Sequence, residues 1–111
     1  MAAAGRGMRV ATFVADVTPP LWTPLCYGLV PVGAAVGDPL WARGVVLLPA
    51  GEKPIVLCAV DWLGIGNGSR DEWRKALAKA ARTTPDRVAL HTVHQHDAPG
   101  DDLSAHALLP A

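Results

Sequence analysis

His94-Gln95-His96-Asp97 follows the apolar run Arg87-Val88-Ala89-Leu90 and places two imidazoles and a carboxylate where a short strand should end. The carboxyl ends of strands are where α/β architectures gather ligands and catalytic groups, because the sheet fixes the strand while the following loop is shaped freely. One imidazole of such a pair is suited to bind a divalent metal. The other can orient it, donate a proton, or stabilise an oxygen that gains charge. A catalytic zinc takes about three protein ligands and leaves one position for water, so two histidines and an aspartate begin a shell without completing it. The competing reading is a pair of surface histidines in a loop. Residues at i and i+2 face one side if strand geometry persists to Asp97 and diverge if it breaks after Val93.

Asp97 and Asp61 are the candidate acidic partners, since either carboxylate can accept the outer ring N–H of a metal-bound histidine and fix its tautomer. Asp61 ends an otherwise unbroken apolar strand, a costly place for a charge unless it is paired or exposed; a turn-starting aspartate is the equal alternative. Asp16 also ends a strand, and in Asp16-Val17-Thr18-Pro19 it reads as a group that satisfies turn amides. His91 alternates with Ala89 and Val93 and reads as core or surface filler, while His106 lies beyond the last organised segment. Gly64-Ile65-Gly66-Asn67-Gly68 follows a strand, but it has neither the GxxxxGK[ST] nor the GxGxxG pattern, which argues against nucleotide binding. Asn67-Gly68-Ser69 matches a glycosylation sequon and is read as a turn feeding a helix.

These groups need elements to hold them. Arg9 to Val17 reads as a first strand, rich in β-branched residues and stopped by Thr18-Pro19-Pro20. Leu21 to Pro39 is broken by Pro24, Gly28, Pro31, Gly33 and Gly37 into a long loop, whose Trp22, Leu25, Tyr27 and Leu29 are expected to pack against the body of the protein. Trp41–Leu48 and Pro54–Asp61 flank the turn Pro49-Ala50-Gly51-Glu52-Lys53 and predict a β-hairpin. Ile55–Val60 is apolar at every position, the pattern of a central strand covered on both faces. Ser69-Arg70-Asp71-Glu72 reads as a capping box opening a helix whose Trp73, Leu77, Ala80 and Ala81 share a face, ending before Pro85. A strand over Arg87–Val93 follows. Strand, helix and strand make a βαβ unit with parallel strands, which brings Asp61-Trp62 to the same sheet edge as His94 and His96. The fold class is therefore α/β, a β-hairpin plus a βαβ unit in a small mixed sheet.

A chain of 111 residues allows one domain with a modest core. The organisation expected is a flexible start over residues 1–8, a domain over 9–99, and a disordered tail over 100–111. Ten basic and ten acidic residues give no field to attract a nucleic acid or an anionic membrane. Cys26 and Cys58 match no CxxC motif and read as two free thiols. No run approaches the apolar length of a membrane span, and the first residues lack the apolar core of a signal peptide, so a cytoplasmic location is the default. Met1 and Met8 are both possible starts.

Ala15-Asp16-Val17-Thr18-Pro19-Pro20, Asp38-Pro39-Leu40-Trp41-Ala42-Arg43-Gly44, Val60-Asp61-Trp62-Leu63-Gly64 and His94-Gln95-His96-Asp97-Ala98-Pro99 resemble, in this order, the start of the neutral/alkaline, non-lysosomal ceramidase family. The resemblance covers most of residues 9 to 99. It implies a zinc-dependent amidase, of a family that cleaves the fatty-acyl amide of ceramide and whose members are often secreted or membrane-associated. It makes His94 a zinc ligand and His96 a catalytic group beside the metal. The family's other ligands, a histidine, a glutamate and a tyrosine, come from far downstream. The chain is thus expected to be an incomplete N-terminal fragment of a larger α/β hydrolytic domain, inactive alone. Where the family reads His-Thr-His-Ser-Gly-Pro, this sequence has Gln95, Asp97 and Ala98. Asp97 adds negative charge beside the site and bears on water activation, so the expected substrate is an amide-bearing lipid or another acyl amide rather than ceramide in particular. The alternative is a non-catalytic α/β scaffold or remnant that self-associates through an exposed sheet, because a single helix leaves one face uncovered.

Overall fold

The computed structural model describes residues 7–23, 25–26 and 35–102, the last by its backbone alone. Strand β1 (Met8–Asp16) is followed after the long connection by β2 (Trp41–Pro49) and β3 (Ile55–Val60). Strand β4 (Gly64–Gly66) then runs directly into helix α1 (Asn67–Ala81), which leads through a 3-10 turn at Pro85–Arg87 to β5 (Val88–Thr92) and β6 (Gly100–Asp102). The main sheet has the order β1-β2-β3-β5, and β4 pairs with β6 in a separate two-stranded ribbon. β1 and β3 both run antiparallel to β2, and β5 runs parallel to β3. The hairpin and the βαβ unit are both present, giving a small mixed α/β domain.

Side chains alternate across the pleat, so each strand offers one row to the helix and one row to the other side. On the helix side Val56, Cys58, Val60, Val88, Leu90 and Ala42 are buried, with Ala78 of α1 packed among them and Phe13, Trp73 and Leu77 around them. Phe13 lies opposite Gly44 in the β1–β2 register. A Cβ on Gly44 would run into the Phe13 ring and approach the Leu57 carbonyl oxygen to 2.7 Å, so the missing side chain is what lets the ring cross β2. On the other side Met8, Val10, Val14 and Leu57 remain 44, 61, 61 and 43% exposed. Among the described residues β3 is therefore covered on one face only. Continuous apolarity in Ile55–Val60 predicts two covered faces, but the described residues supply one α-helix, and α1 can lie on only one side of the sheet.

The helix begins earlier than its sequence signal. Its N-cap is Gly66 in extended geometry without a side-chain cap bond, so Asn67, Gly68 and Ser69 form its first turn. Ser69 is buried, and its hydroxyl donates to Asp101 Oδ1 at 2.9 Å instead of accepting a helix amide. Glu72 sits exposed, 3.7 Å from Lys75 Nζ. The capping-box pattern is present in the sequence, but the β4–β6 ribbon delivers the chain into the helix three residues upstream of it. Ala78, rather than the expected Ala80, is buried at the helix–sheet contact. The helix stops at Arg82, whose left-handed φ of 59° turns its amide back to the carbonyls of Ala78 and Lys79.

Residues 100–102 of the expected tail form β6, and 103–111 lie outside the described residues. In the long connection Leu25 is half-buried, Trp22 is 65% exposed, and Tyr27 and Leu29 fall outside the described residues. Both cysteines are free and buried. Burial lifts the Cys58 thiol above its ordinary pKa, because the thiolate would lose its solvent. No helix among the described residues is long and apolar enough to cross a membrane.

Candidate functional site

Parallel pairing of β3 with β5 brings the carboxyl ends of both strands to one edge. Val60 lies opposite Thr92, and the chain continues to zip beyond the strands. The amides of Val93 and His94 donate to the carbonyls of Val60 and Trp62, both at 3.1 Å, and that of Gln95 to Trp62 at 3.3 Å. Asp61 and His94 thus share the edge that the βαβ topology predicts. Asp61, however, is bound to β2: its amide donates to the Trp41 carbonyl at 2.9 Å and its Oδ2 accepts the Trp41 amide at 3.0 Å. This two-way clasp resolves the burial problem of a strand-end carboxylate by closing the β2–β3 ladder.

Asp16 has a local task of the same kind. Its Oδ1 accepts the Thr18 amide at 2.9 Å, and hydrogen bonding from the Thr18 side chain and then its amide holds the carboxyl below its ordinary range. Thr18 Oγ1 in turn accepts the Leu40 amide at 2.9 Å, and the Val17 amide donates to the Leu40 carbonyl at 2.9 Å. The Trp62 indole donates to the Val17 carbonyl at 3.0 Å, tying both ends of the long connection to the histidine edge.

Strand geometry does not persist to Asp97. β5 ends at Thr92, and His94 has a φ of 63°, a left-handed conformation that an L side chain seldom adopts. The two imidazoles nevertheless meet, with ring centres 4.9 Å apart and planes at 74°. His94 Nδ1 lies 3.0 Å from the Leu63 carbonyl oxygen, which also accepts the Thr92 hydroxyl at 3.2 Å. A carbonyl only accepts, so in the neutral ring this contact places the proton on Nδ1 and leaves the Nε2 lone pair. His94, His96 and Asp97 are all exposed. His91 is an exposed member of the open sheet face, among Thr12, Arg43 and Leu57. His106 lies outside the described residues.

Gln95 and Asp97 line a cavity of about 450 Å³ together with Thr18, Thr23, Asp38 and Leu40. The histidines are not in its lining, so the edge divides into an imidazole pair and a neighbouring carboxylate-bearing hollow. Within the pair's reach the described residues supply no third metal ligand, and no group of three or more His, Cys, Asp or Glu residues among them could hold a metal ion. No local pattern marks the cavity wall of Thr18 and Asp38 or the Ser69–Asp101 bond, because each joins segments more than fifteen residues apart that only folding brings together. Comparison with family models, with curated proteins and with solved structures gives no match.

Proposed function

We propose that this chain is a non-catalytic α/β scaffold that associates with a second copy of itself through the sheet face that α1 leaves open. The observation that carries this reading is the exposed row of Met8, Val10, Val14 and Leu57 on one side of a four-stranded sheet. Four strands about 4.8 Å apart, rising about 3.3 Å per residue over five to nine residues, present a footprint of roughly 500 Å². Two such faces together bury roughly 1,000 Å², the lower bound for a specific interface. The apolar row, beside Thr12, Arg43 and His91 on the same face, is the kind of exposed patch with polar neighbours that marks an interaction site. A formal net charge of zero puts no repulsion between copies.

Sedimentation or light scattering across a protein concentration series tests the reading. The expected result is a dimer that Val14→Asp or Leu57→Asp converts to a folded monomer. A native chain that stays monomeric at tens of micromolar overturns it.

A second reading is favoured by the histidine edge: the amino-terminal part of a zinc-dependent amide hydrolase of the neutral/alkaline, non-lysosomal ceramidase kind, inactive by itself. What supports it is the resemblance in the sequence together with Nε2 of His94 left open at the carboxyl end of β5. The residues described do not fit a complete zinc shell, so no reaction step is derived through the metal. On this reading His94→Ala in a longer protein carrying the segment removes most of the bound zinc, and metal analysis showing undiminished zinc counts against it.

A further inference from the structure

We propose that His91 makes the self-association pH-dependent: the open sheet face holds a second copy while this imidazole is neutral and releases it once the imidazole is protonated. The proposal rests on the scaffold reading and adds its regulation. The strand registers place the residues that decide it. Val14 lies opposite Arg43, Arg43 opposite Ala59, and Ala59 opposite His91, so one rung of the sheet carries all four on the face turned away from α1. The same residues, with Thr12 and Leu57, line a shallow hollow of about 430 Å³. His91 is thus part of the surface that a second copy has to cover, beside the exposed Val14 and Leu57.

Charge on this face is balanced before His91 titrates. Among the strand residues described, alternation puts Asp16 of β1 and Arg43 of β2 on this side, one same-face rung apart, whereas β3 contributes the uncharged Ile55, Leu57 and Ala59. Helix α1 and its charges lie on the opposite side. The Arg43 guanidinium stands 5.9 Å from the centre of the Trp41 ring, a neighbour that also favours a cation. Hydrogen bonding from the Thr18 side chain and then its amide holds the Asp16 carboxyl below its ordinary range, so the carboxylate and the guanidinium offset each other wherever an imidazole titrates. A proton on His91 therefore leaves one uncompensated positive charge on each face, and among the described residues no ion pair holds it. Packed sheets stand about 10 Å apart, so docking two such faces takes both imidazolium ions out of water without a counter-charge. The sign follows: His91 is charged more easily in the monomer, so association is present above the imidazole range and is lost as the pH falls through it.

The test is sedimentation velocity of the full chain at about pH 7.5 and about pH 5.5, at one ionic strength, with circular dichroism of the same samples. Two imidazoles that titrate at about pH 6.5 and have to be neutral in the dimer raise its dissociation constant about a hundredfold between those limits. The released monomer should keep its secondary structure. His91→Gln, which stays neutral, should dimerise equally at both pH values, and His91→Lys, which stays charged, should be a folded monomer at both. A variant with His94→Gln and His96→Gln together should keep the native pH dependence. A native dimer whose dissociation constant moves less than about threefold, a His91→Gln dimer that still comes apart at the lower pH, or dissociation that occurs only with unfolding overturns the regulation and leaves the scaffold reading standing. A native chain that stays monomeric at tens of micromolar at the higher pH removes both.

Discussion

Gly44→Ala is the substitution whose cost the structure defines most sharply. The added methyl would collide with the Phe13 ring and stand 2.7 Å from the Leu57 carbonyl oxygen, against a backbone that is hydrogen-bonded on both sides. Overpacking of this kind costs about 1–3 kcal/mol, and the upper part of that range applies because one of the two obstacles is main chain. For a urea slope of about 1–1.5 kcal/mol per molar, a loss of about 2 kcal/mol lowers the unfolding midpoint by about 1.5 M. Phe13→Ala, which removes a half-buried ring, should cost about 2 kcal/mol by itself. In the double variant the ring collision is absent, so the two losses should fall short of their sum by about 1 kcal/mol or more, the signature of groups in contact. Urea denaturation of the four proteins at one fixed concentration reads all of these values. A Gly44→Ala midpoint within error of the native one, or a strictly additive double variant, refutes the account of how β1 is seated over β2.

Ser69→Ala should destabilise the fold by about 1–2 kcal/mol, because it removes a hydrogen bond to a carboxylate from a buried site. Glu72→Ala should stay within about 0.5 kcal/mol of the native protein, since among the described residues it pairs with the exposed Lys75; a capping box requires both to matter, and thermal unfolding of the two variants decides. For Asp16 the sign follows from its lowered pKa: stabilisation is present while the carboxylate is charged and is lost as the pH falls through the depressed folded value, below the ordinary 3.8. Asp16→Asn keeps an oxygen for the Thr18 amide but removes the titration, so its melting temperature should fall less steeply below about pH 4. An identical acid limb in both proteins would show that this turn carries no pH dependence.

The arrangement of strands was legible because periodicity and turn chemistry are local. Val10, Val14 and their neighbours read as a strand, Pro49–Lys53 as a hairpin turn, and the apolar run at Ile55–Val60 followed by a helix and a second short strand as a βαβ unit. The helix start at Gly66 is hidden for an equally physical reason. Ser69 and Glu72 have the spacing of a capping box, yet the pattern does not reveal that β6 brings Asp101 to the serine hydroxyl. Asp61 and His94 were correctly placed on one edge, but the partner of Asp61 was not, since Trp41 lies twenty residues away along the chain and its amide carries no sequence signature.

By itself, then, the order of residues determined the hairpin of β2 with β3 and the parallel pairing of β3 with β5, though not that of β1 with β2 or β4 with β6; it also determined that the two neighbouring histidines fall at the end of a strand, and that no excess charge biases the surface. Only the tertiary structure decided which face of the sheet stays open, because that depends on where one helix of fifteen residues lies across four strands. It also decided what faces the His94 ring. Spacing along the chain does not show that Leu63 lies beside it; the fold, by closing β5 onto the end of β3, fixes the 3.0 Å contact between His94 Nδ1 and the Leu63 carbonyl.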